Sequence, residues 1–599
     1  MIAVSNEFKK TIKSDERRIK GYVEVLYDVE DVNVSVTSNM TSSYTELSDI
    51  TQGGRVKQNY GTLDYLPLDG SCLTMDTSNN EDSGFISNDL SGAETGRTFT
   101  LNFSSTTLNG ITIYYKNNLP DGTYLTFSDG TTGYIEAPED TGNEIYMQQY
   151  IFDTPKTLTS ITIEYNLWRY ETRKVKIPRI DLGVSAVYKD QDLIEFTVDE
   201  EVNKLVEEVP TNETNVTLNN IYDLFNPLNP QGVVKYLSDG SKIIPHIGVL
   251  TETQGVEFVK MGEFFFDSYT NNSDKTTTLV GKNIIKQLEA KEITNGLIQT
   301  QHNNYFLDRV VDEYNNTFKG LIENSGQPII IQLSSIIPTY IIHIKDVNMV
   351  ELIKQWCLLQ NALFLGNRNN DLTIKNINFN TVDTLTKNEL LEDVSFKYID
   401  KINTMRIKKE RKENNDTYGG EYQTTYKMFD NYQLPLTESP QIFIIEKPNS
   451  HFMTNFVNTF SNGTGEILWD NQNFVIIRVT GTIGNTATLT SSWTSYYSSR
   501  GSNITTIDEG TFSTKTSGEK EVVVEISDQI GFGTRTTNFK NILNYAPSYE
   551  ISFEYNGDPS LEAGDYINVE TPYGYKPVFI QKNTFKFNGG LSGSIEGVE

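Results

Sequence analysis

Over most of its length the sequence does not hold one secondary structure for long. Runs of alternating apolar and polar side chains are cut by Gly, Asn, Asp, Ser and Thr every ~8–15 residues, the spacing of short strands joined by turns. Arg97–Phe103, Gly110–Tyr115, Tyr124–Phe127 and Leu158–Tyr165 read this way, and so do Ala186–Tyr188, Leu193–Val198, Asn215–Leu218 and Glu263–Tyr269. The 33 Tyr and 30 Phe supply strand-favouring side chains between the turns. The pattern predicts a mostly β, multidomain α+β chain.

Three stretches break that rhythm with a helical period. Residues 7–18 read as a short charged helix leading into a strand at Ile19–Asp28. Asn304–Phe318 sets Phe306, Val310, Tyr314 and Phe318 on one stripe. Asn348–Leu365 begins with Asn348 and Glu351 in capping-box spacing. It buries Met349, Ile353, Trp356, Leu359 and Leu363, and it stops at Gly366. Strands are expected at Asp371–Ile377 and Tyr398–Glu410. The shifts in texture divide the chain of 599 residues into a barrel from 1–30 and 175–280, an inserted jelly-roll module at 31–174, an α/β middle domain at 281–385, and a C-terminal barrel at 386–599 with a strand-rich insertion at about 415–535.

Charge narrows the partners. With 50 Lys+Arg against 79 Asp+Glu the formal charge is −29, the wrong sign for nucleic acid or an anionic membrane. No apolar run approaches the ~18–20 residues needed to span a bilayer. The start lacks the apolar core of a secretory signal, so no cleaved leader is expected. The two cysteines, Cys72 and Cys357, form no framework and are expected to be inert.

The usual chemistries find no motif. His246, His302, His343 and His451 are isolated, with no His-Glu-x-x-His and no His/Cys cluster; His343 reads as a core histidine. Nucleophile elbows, Walker patterns and dinucleotide patterns are missing. A glycosidase needs only two carboxylates across a cleft, and Asp199, Glu200 and Glu201 are candidates, although a solvated charged edge explains them more simply. Asp76–Asp82 spaces oxygen atoms as calcium loops do, but Glu81 stands where the sharp-turn glycine belongs, so an ordinary polar turn is expected. No catalytic, cofactor-binding or metal-ligating residue is proposed, and the chain reads as not an enzyme.

Three phrases in order carry a resemblance. The first is Ser5-Asn-Glu-Phe-Lys-Lys, followed by Arg18-Ile-Lys-Gly-Tyr-Val-Glu-Val. The second is Val216-Thr-Leu-Asn-Asn220 and Phe225-Asn-Pro-Leu-Asn-Pro230, leading to Val259-Lys-Met-Gly-Glu-Phe-Phe-Phe-Asp267. The third is Glu554-Tyr-Asn-Gly-Asp-Pro-Ser-Leu-Glu-Ala-Gly-Asp565 with Phe585-Lys-Phe-Asn-Gly-Gly-Leu-Ser-Gly-Ser-Ile595. Together they resemble the tail-hub (baseplate hub) proteins of phages infecting Gram-positive bacteria, and of phage-tail-like particles, over about two thirds of the chain. The departure is at Gly281-Lys282-Asn283, where the family usually places an Asp before the helix.

The resemblance implies a homotrimeric ring of tail-hub β-barrels at the tail tip. Its neighbours would be the distal tail protein, the tape-measure protein, and tail fibre or receptor-binding proteins. It would be a structural virion protein assembled in the host cytoplasm. The 31–174 module resembles galactose-binding-like jelly rolls through Thr62–Ser71, which raises the alternative of a carbohydrate-binding adhesin using Tyr114, Tyr115 and Tyr124 on host cell wall. A cell-wall-degrading tail lysin is the third reading.

Overall fold

A computed structural model describes residues 2–38, 85–86, 98–167, 176–293, 329–332, 347–413, 423–446, 451–497, 503–527, 543 and 546–599, with short gaps inside several of these ranges. The helix expected at Asn304–Phe318 lies outside the described residues, as do Thr62–Ser71, Asp76–Asp82, Cys72, His302 and His343. The chain is mostly β. No helix among the described residues is long and apolar enough to cross a membrane.

The N-terminal helix is shorter than its charged run, Asn6–Ile12, because only Phe8 and Ile12 have a core to enter. The hydroxyl of Ser5 caps it by accepting the Phe8 amide at 2.9 Å. The strand Ile19–Leu26 comes next, with residues from Tyr22 to Leu26 buried on both faces, so its alternation does not separate a wet side from a dry one.

That strand belongs to a fourteen-stranded sheet that joins the two ends of the chain. Its path runs Ser185–Lys189, Ile19–Leu26, Lys242–Thr251, Phe264–Asn271, Thr276–Lys282, Glu213–Asn219, Leu193–Glu201, Gly574–Phe587, Leu591–Val598, Tyr549–Tyr555 and Ser395–Tyr398. The seam is the antiparallel pair Leu193–Glu201 and Gly574–Phe587, in register from Phe196↔Phe587 to Glu201↔Lys582. One apolar core fills it, with Val23, Val25, Phe196, Val216 and Ile243 from the first part of the chain beside Phe553, Ile567, Phe585 and Ile595 from the last. Phe196 stacks on Phe587 with ring centroids 5.2 Å apart. The Phe587 ring also lies over Gly21, where a Cβ would meet it at 2.7 Å.

The C-terminal phrase makes two turns. Gly557 and Gly564 take φ of +80° and +91°, left-handed values that suit glycine. The Asp558 carboxylate accepts the Ser560 amide and hydroxyl, and Asp565 accepts the Glu562 amide.

Other boundaries move. The Asn348–Leu365 helix is Met349–Gln360, buried through Val350, Ile353, Cys357 and Leu358. Asn361 ends it by taking φ +50°, and the chain turns straight into the strand Ala362–Gly366. Gly366 is therefore inside a strand, not a helix stop, and Leu363 is buried from that strand. The expected strand Asp371–Ile377 is Leu372–Asn376, and Tyr398–Glu410 is two strands, Ser395–Tyr398 and Thr404–Glu413. The departure at Asn283 is made good from elsewhere: Asn370, in the turn between Ala362–Gly366 and Leu372–Asn376, accepts the Ile284 amide at 2.8 Å and caps the helix Ile284–Glu289.

In the inserted region Arg97–Phe103 and Gly110–Tyr115 are one bulged strand, Thr98–Lys116, paired with the long strand Ile145–Leu167. These lie in a seven-stranded sheet whose core holds Phe99, Ile113, Leu125 and Ile163. Ile177, Ile180 and Leu182 pack into the same core, beyond the texture change at 174. Phe85–Ile86 and Lys176–Ile177 pair apart from it. A further group of strands between Gln423 and Tyr497 packs round Leu434, Ile477, Val479 and Leu489.

Phe196→Ala is expected to destabilise the chain by about 3–5 kcal/mol, the range for truncating a buried Phe. Hydrogen exchange should then quicken in Leu193–Glu201 and in Gly574–Phe587 together. Loss of protection in only one of the two would show that the ends fold separately.

Candidate functional site: two buried ionic joints

The described side chains converge on joints between parts of the chain, not on a reacting centre. The first joint is Arg368, which reaches from the turn after Ala362–Gly366 into the base of the large sheet. Arg368 and Glu200 are both buried. Nε and Nη2 hold the two Glu200 carboxylate oxygens as a fork, the second at 3.1 Å. Nη2 also donates to the Leu561 carbonyl at 2.8 Å, and Nη1 donates to the Pro559 carbonyl and lies 3.9 Å from Met261 Sδ. The guanidinium stands 5.6 Å from the centre of the Phe585 ring.

One side chain thus ties the turn between Ala362–Gly366 and Leu372–Asn376 to Leu193–Glu201 and to the C-terminal phrase. Burial works against the guanidinium charge, but Glu200 and Glu562 outweigh it and hold Arg368 above its ordinary pKa. Burial likewise pushes Glu200 up, and Arg368 offsets part of that.

The second joint ties the seven-stranded sheet to the fourteen-stranded one. Arg179, in the strand Arg179–Asp181, forks onto Asp181 at 2.8 and 2.7 Å and donates a further N–H to Glu24 of Ile19–Leu26. Its guanidinium lies on the Tyr114 ring, 4.3 Å from the centroid. The Tyr114 hydroxyl meets Ser185 Oγ at 2.8 Å, and Ser185 Oγ donates to Asp181 at 2.8 Å. His246 stacks on Tyr22 at 4.3 Å with Nε2 3.3 Å from Glu24. Burial is again the largest influence on Arg179, and Asp181 and Glu24 overcome it to hold the pKa well above the ordinary value. Beside this network the chain leaving Ile19–Leu26 meets the chain entering Ser185–Lys189. The Tyr27 amide donates to the Val184 carbonyl, and the Val184 amide donates to Asp28.

The residues singled out for chemistry fall apart. Asp199, Glu200 and Glu201 sit in a strand, so alternation sends the middle one inward to Arg368. Asp199 accepts the Thr584 hydroxyl and Glu201 is exposed. The expectation of a solvated charged edge fails for Glu200, because Arg368 supplies a buried partner that sequence spacing does not show. Tyr114 and Tyr115 are not loop aromatics. The first lies under Arg179, and the second is buried with its hydroxyl on Gln148 at 2.7 Å. Tyr124 is exposed beside Tyr134, ring centroids 4.8 Å apart. His451 lies in the strand His451–Ser461. Cys357 is buried and its thiol is pushed well up by burial, against reactivity. Among the described residues no His/Cys/Asp/Glu group is arranged to hold a metal.

An open hollow of about 480 Å³ is lined by Arg17, Asn388, Asn556, Gly589 and Gly590, with no carboxylate among its lining residues. Arg17 there donates to the carbonyls of Gly557 and Leu591. At the end of the sheet path, Ser395–Tyr398 is exposed throughout and carries Phe396 and Tyr398 on the face that continues the core through Ile551.

No family model and no curated protein matches the chain. Among solved structures it is similar to a 43 kDa tail protein of prophage MuSo2 from Shewanella oneidensis, at 9% identity over 69% of this chain and 96% of that one, TM-score 0.36. A tail protein from Neisseria meningitidis aligns at 7% identity over 69% and 93%, TM-score 0.35. Prophage tail protein gp18 from Listeria monocytogenes aligns at 11% over 69% and 91%, TM-score 0.33. These likenesses are loose and transfer no function to the chain.

Arg368→Met is expected to cost about 3–5 kcal/mol, because it leaves the buried Glu200 carboxyl without its ionic partner. Glu200→Leu combined with Arg368→Met should recover most of that loss in denaturant melts. Equal destabilisation by the single and double variants would mean that the pair is not the joint.

Proposed function

We propose that the chain is a structural hub at the tip or baseplate of a phage tail or tail-like particle, connecting the tail tube and distal tail protein to tip or receptor-binding components. The observation that carries this reading is the single sheet assembled from both ends of the chain. The three phrases that resemble the tail-hub family supply its strands, and the seam Phe196–Phe587 joins them. A frame joined in this way is stiff, and two arginines fasten further segments to it through charged hydrogen bonds. Among the described residues no arrangement calls for a catalytic role. The exposed edge Ser395–Tyr398, with two aromatics in water, supports self-association of three copies through a strand edge.

Immunogold microscopy with an antibody to residues 540–599 is expected to label only the tail end distant from the head. Light scattering should give a trimer, and Phe396→Lys with Tyr398→Lys should reduce it to monomer. Label on cell surfaces with no labelled particles would sink the hub reading.

One observation favours a second reading, the adhesin. The Tyr124–Tyr134 pair is the kind of exposed aromatic platform that sugars stack on. If it works so, host cell wall retains the full chain, and Tyr124→Ala with Tyr134→Ala lowers retention at least fivefold. Equal retention of both proteins would end that role for the pair.

A further inference from the structure

The segment after Glu213–Asn219 inverts the usual arrangement of a surface loop. From Asn220 onward tight turns follow one another: the amides of Asp223, Asn226, Asn229 and Gly232 donate in succession to the carbonyls of Asn220, Asp223, Asn226 and Asn229. Asparagine side chains brace it from within. Asn220 accepts the Phe225 amide, Asn226 accepts the Leu228 amide, and Asn229 donates to the Asp223 carbonyl at 2.9 Å. Asn271 donates to the Phe225 carbonyl from the neighbouring strand at 2.7 Å, and Phe225 is buried below. The polar groups therefore point inward, while Ile221, Tyr222 and Leu228 stand 63%, 81% and 90% exposed.

Loop polarity normally favours water, so a braced loop holding three large apolar groups outside is built for contact. Tyrosine with aliphatic neighbours on a rigid backbone is the composition of an interface anchor. The surroundings say what it meets. The Asn219 side chain reaches the Gln191 carbonyl and the Asn220 backbone amide the Lys275 carbonyl, which sets the loop beside Asp190, Asp192, Asp274 and its own Asp223. Against these four carboxylates stand Lys189 and Lys275, and Lys275 is paired with Asp223 at 3.1 Å. A second copy docking through the same loop would bring the same acidic collar against this one.

We infer that the loop of residues 219–229 is a docking knob for a different protein, one whose receiving socket is apolar at its floor and rimmed by lysine or arginine. The inference stands on the loop and its collar, and it holds or fails independently of the hub reading.

Two measurements on the full chain test it. Ile221→Ser, Tyr222→Ser and Leu228→Ser together should leave the mass by light scattering and the melting temperature unchanged, since these side chains touch mainly water. A fall in mass would make a second copy the occupant and overturn the proposal. In source cells, Tyr222→benzoylphenylalanine should photo-cross-link to another polypeptide within an apolar segment flanked by Lys or Arg. The product should drop at least tenfold with Ile221→Ser and Leu228→Ser added, and it should weaken at high salt. Tyr573, exposed on the hairpin at the opposite end of the sheet, is the control position. Cross-links only to copies of this chain, only to an acidic or polar site, or no stronger than those from position 573 would overturn it.

Discussion

A guanidinium in a dry core has one stable arrangement, with its donors answered and its charge matched. Arg368 meets both conditions at once, and most of the architecture is fixed by how it does so. Its fork on Glu200 sets the turn after Ala362–Gly366 against Leu193–Glu201. Its bonds to the Pro559 and Leu561 carbonyls set the C-terminal turns against the same point. Displacing any one of the three segments leaves a buried charge or carbonyl without a partner, at several kcal/mol.

The sheet seam depends on that anchorage. Leu193–Glu201 carries Glu200 to Arg368 near one end and Phe196 to Phe587 near the other. Polar and apolar contacts therefore fix the same pair of strands at two heights, and neither slip nor rotation is open to them. Gly21 allows the Phe587 ring to lie flat on the N-terminal strand, so the first and last described segments pack directly.

Much of the scaffold is legible in the sequence because it is local. Alternation places Leu193–Val198, Asn215–Leu218 and Glu263–Tyr269 in strands, and Gly557 and Gly564 mark turns that only small residues enter easily. The elements that sequence misplaces are decided at a distance. The Asn348 helix reads too long because Ala362–Leu365 is apolar in either structure, and only Leu372–Asn376 alongside makes it a strand. Glu200 reads as a surface acid because nothing near it in sequence points to Arg368. Tyr114 reads as available because its cover, Arg179, lies 65 positions on, in a stretch that reads as the start of another domain. Asn370 capping Ile284 from across the fold is the same case.

These distant contacts share a chemistry, and that bears on why the chain uses ions where apolar packing would hold as well. An apolar patch between the two sheets would set no bond direction and so leave more room for sliding, since apolar burial is non-directional. Arg179 does not tolerate it: its fork fits Asp181 in one plane, its remaining N–H needs Glu24, and Tyr114 covers its face. The joint at Arg368 repeats the device. A part that presents a loop such as 219–229 in a set direction gains from attachments with one geometry, even where they add little net stability. In this chain the ionic joints set orientation, and the apolar core supplies the stability that lets two charges stay dry.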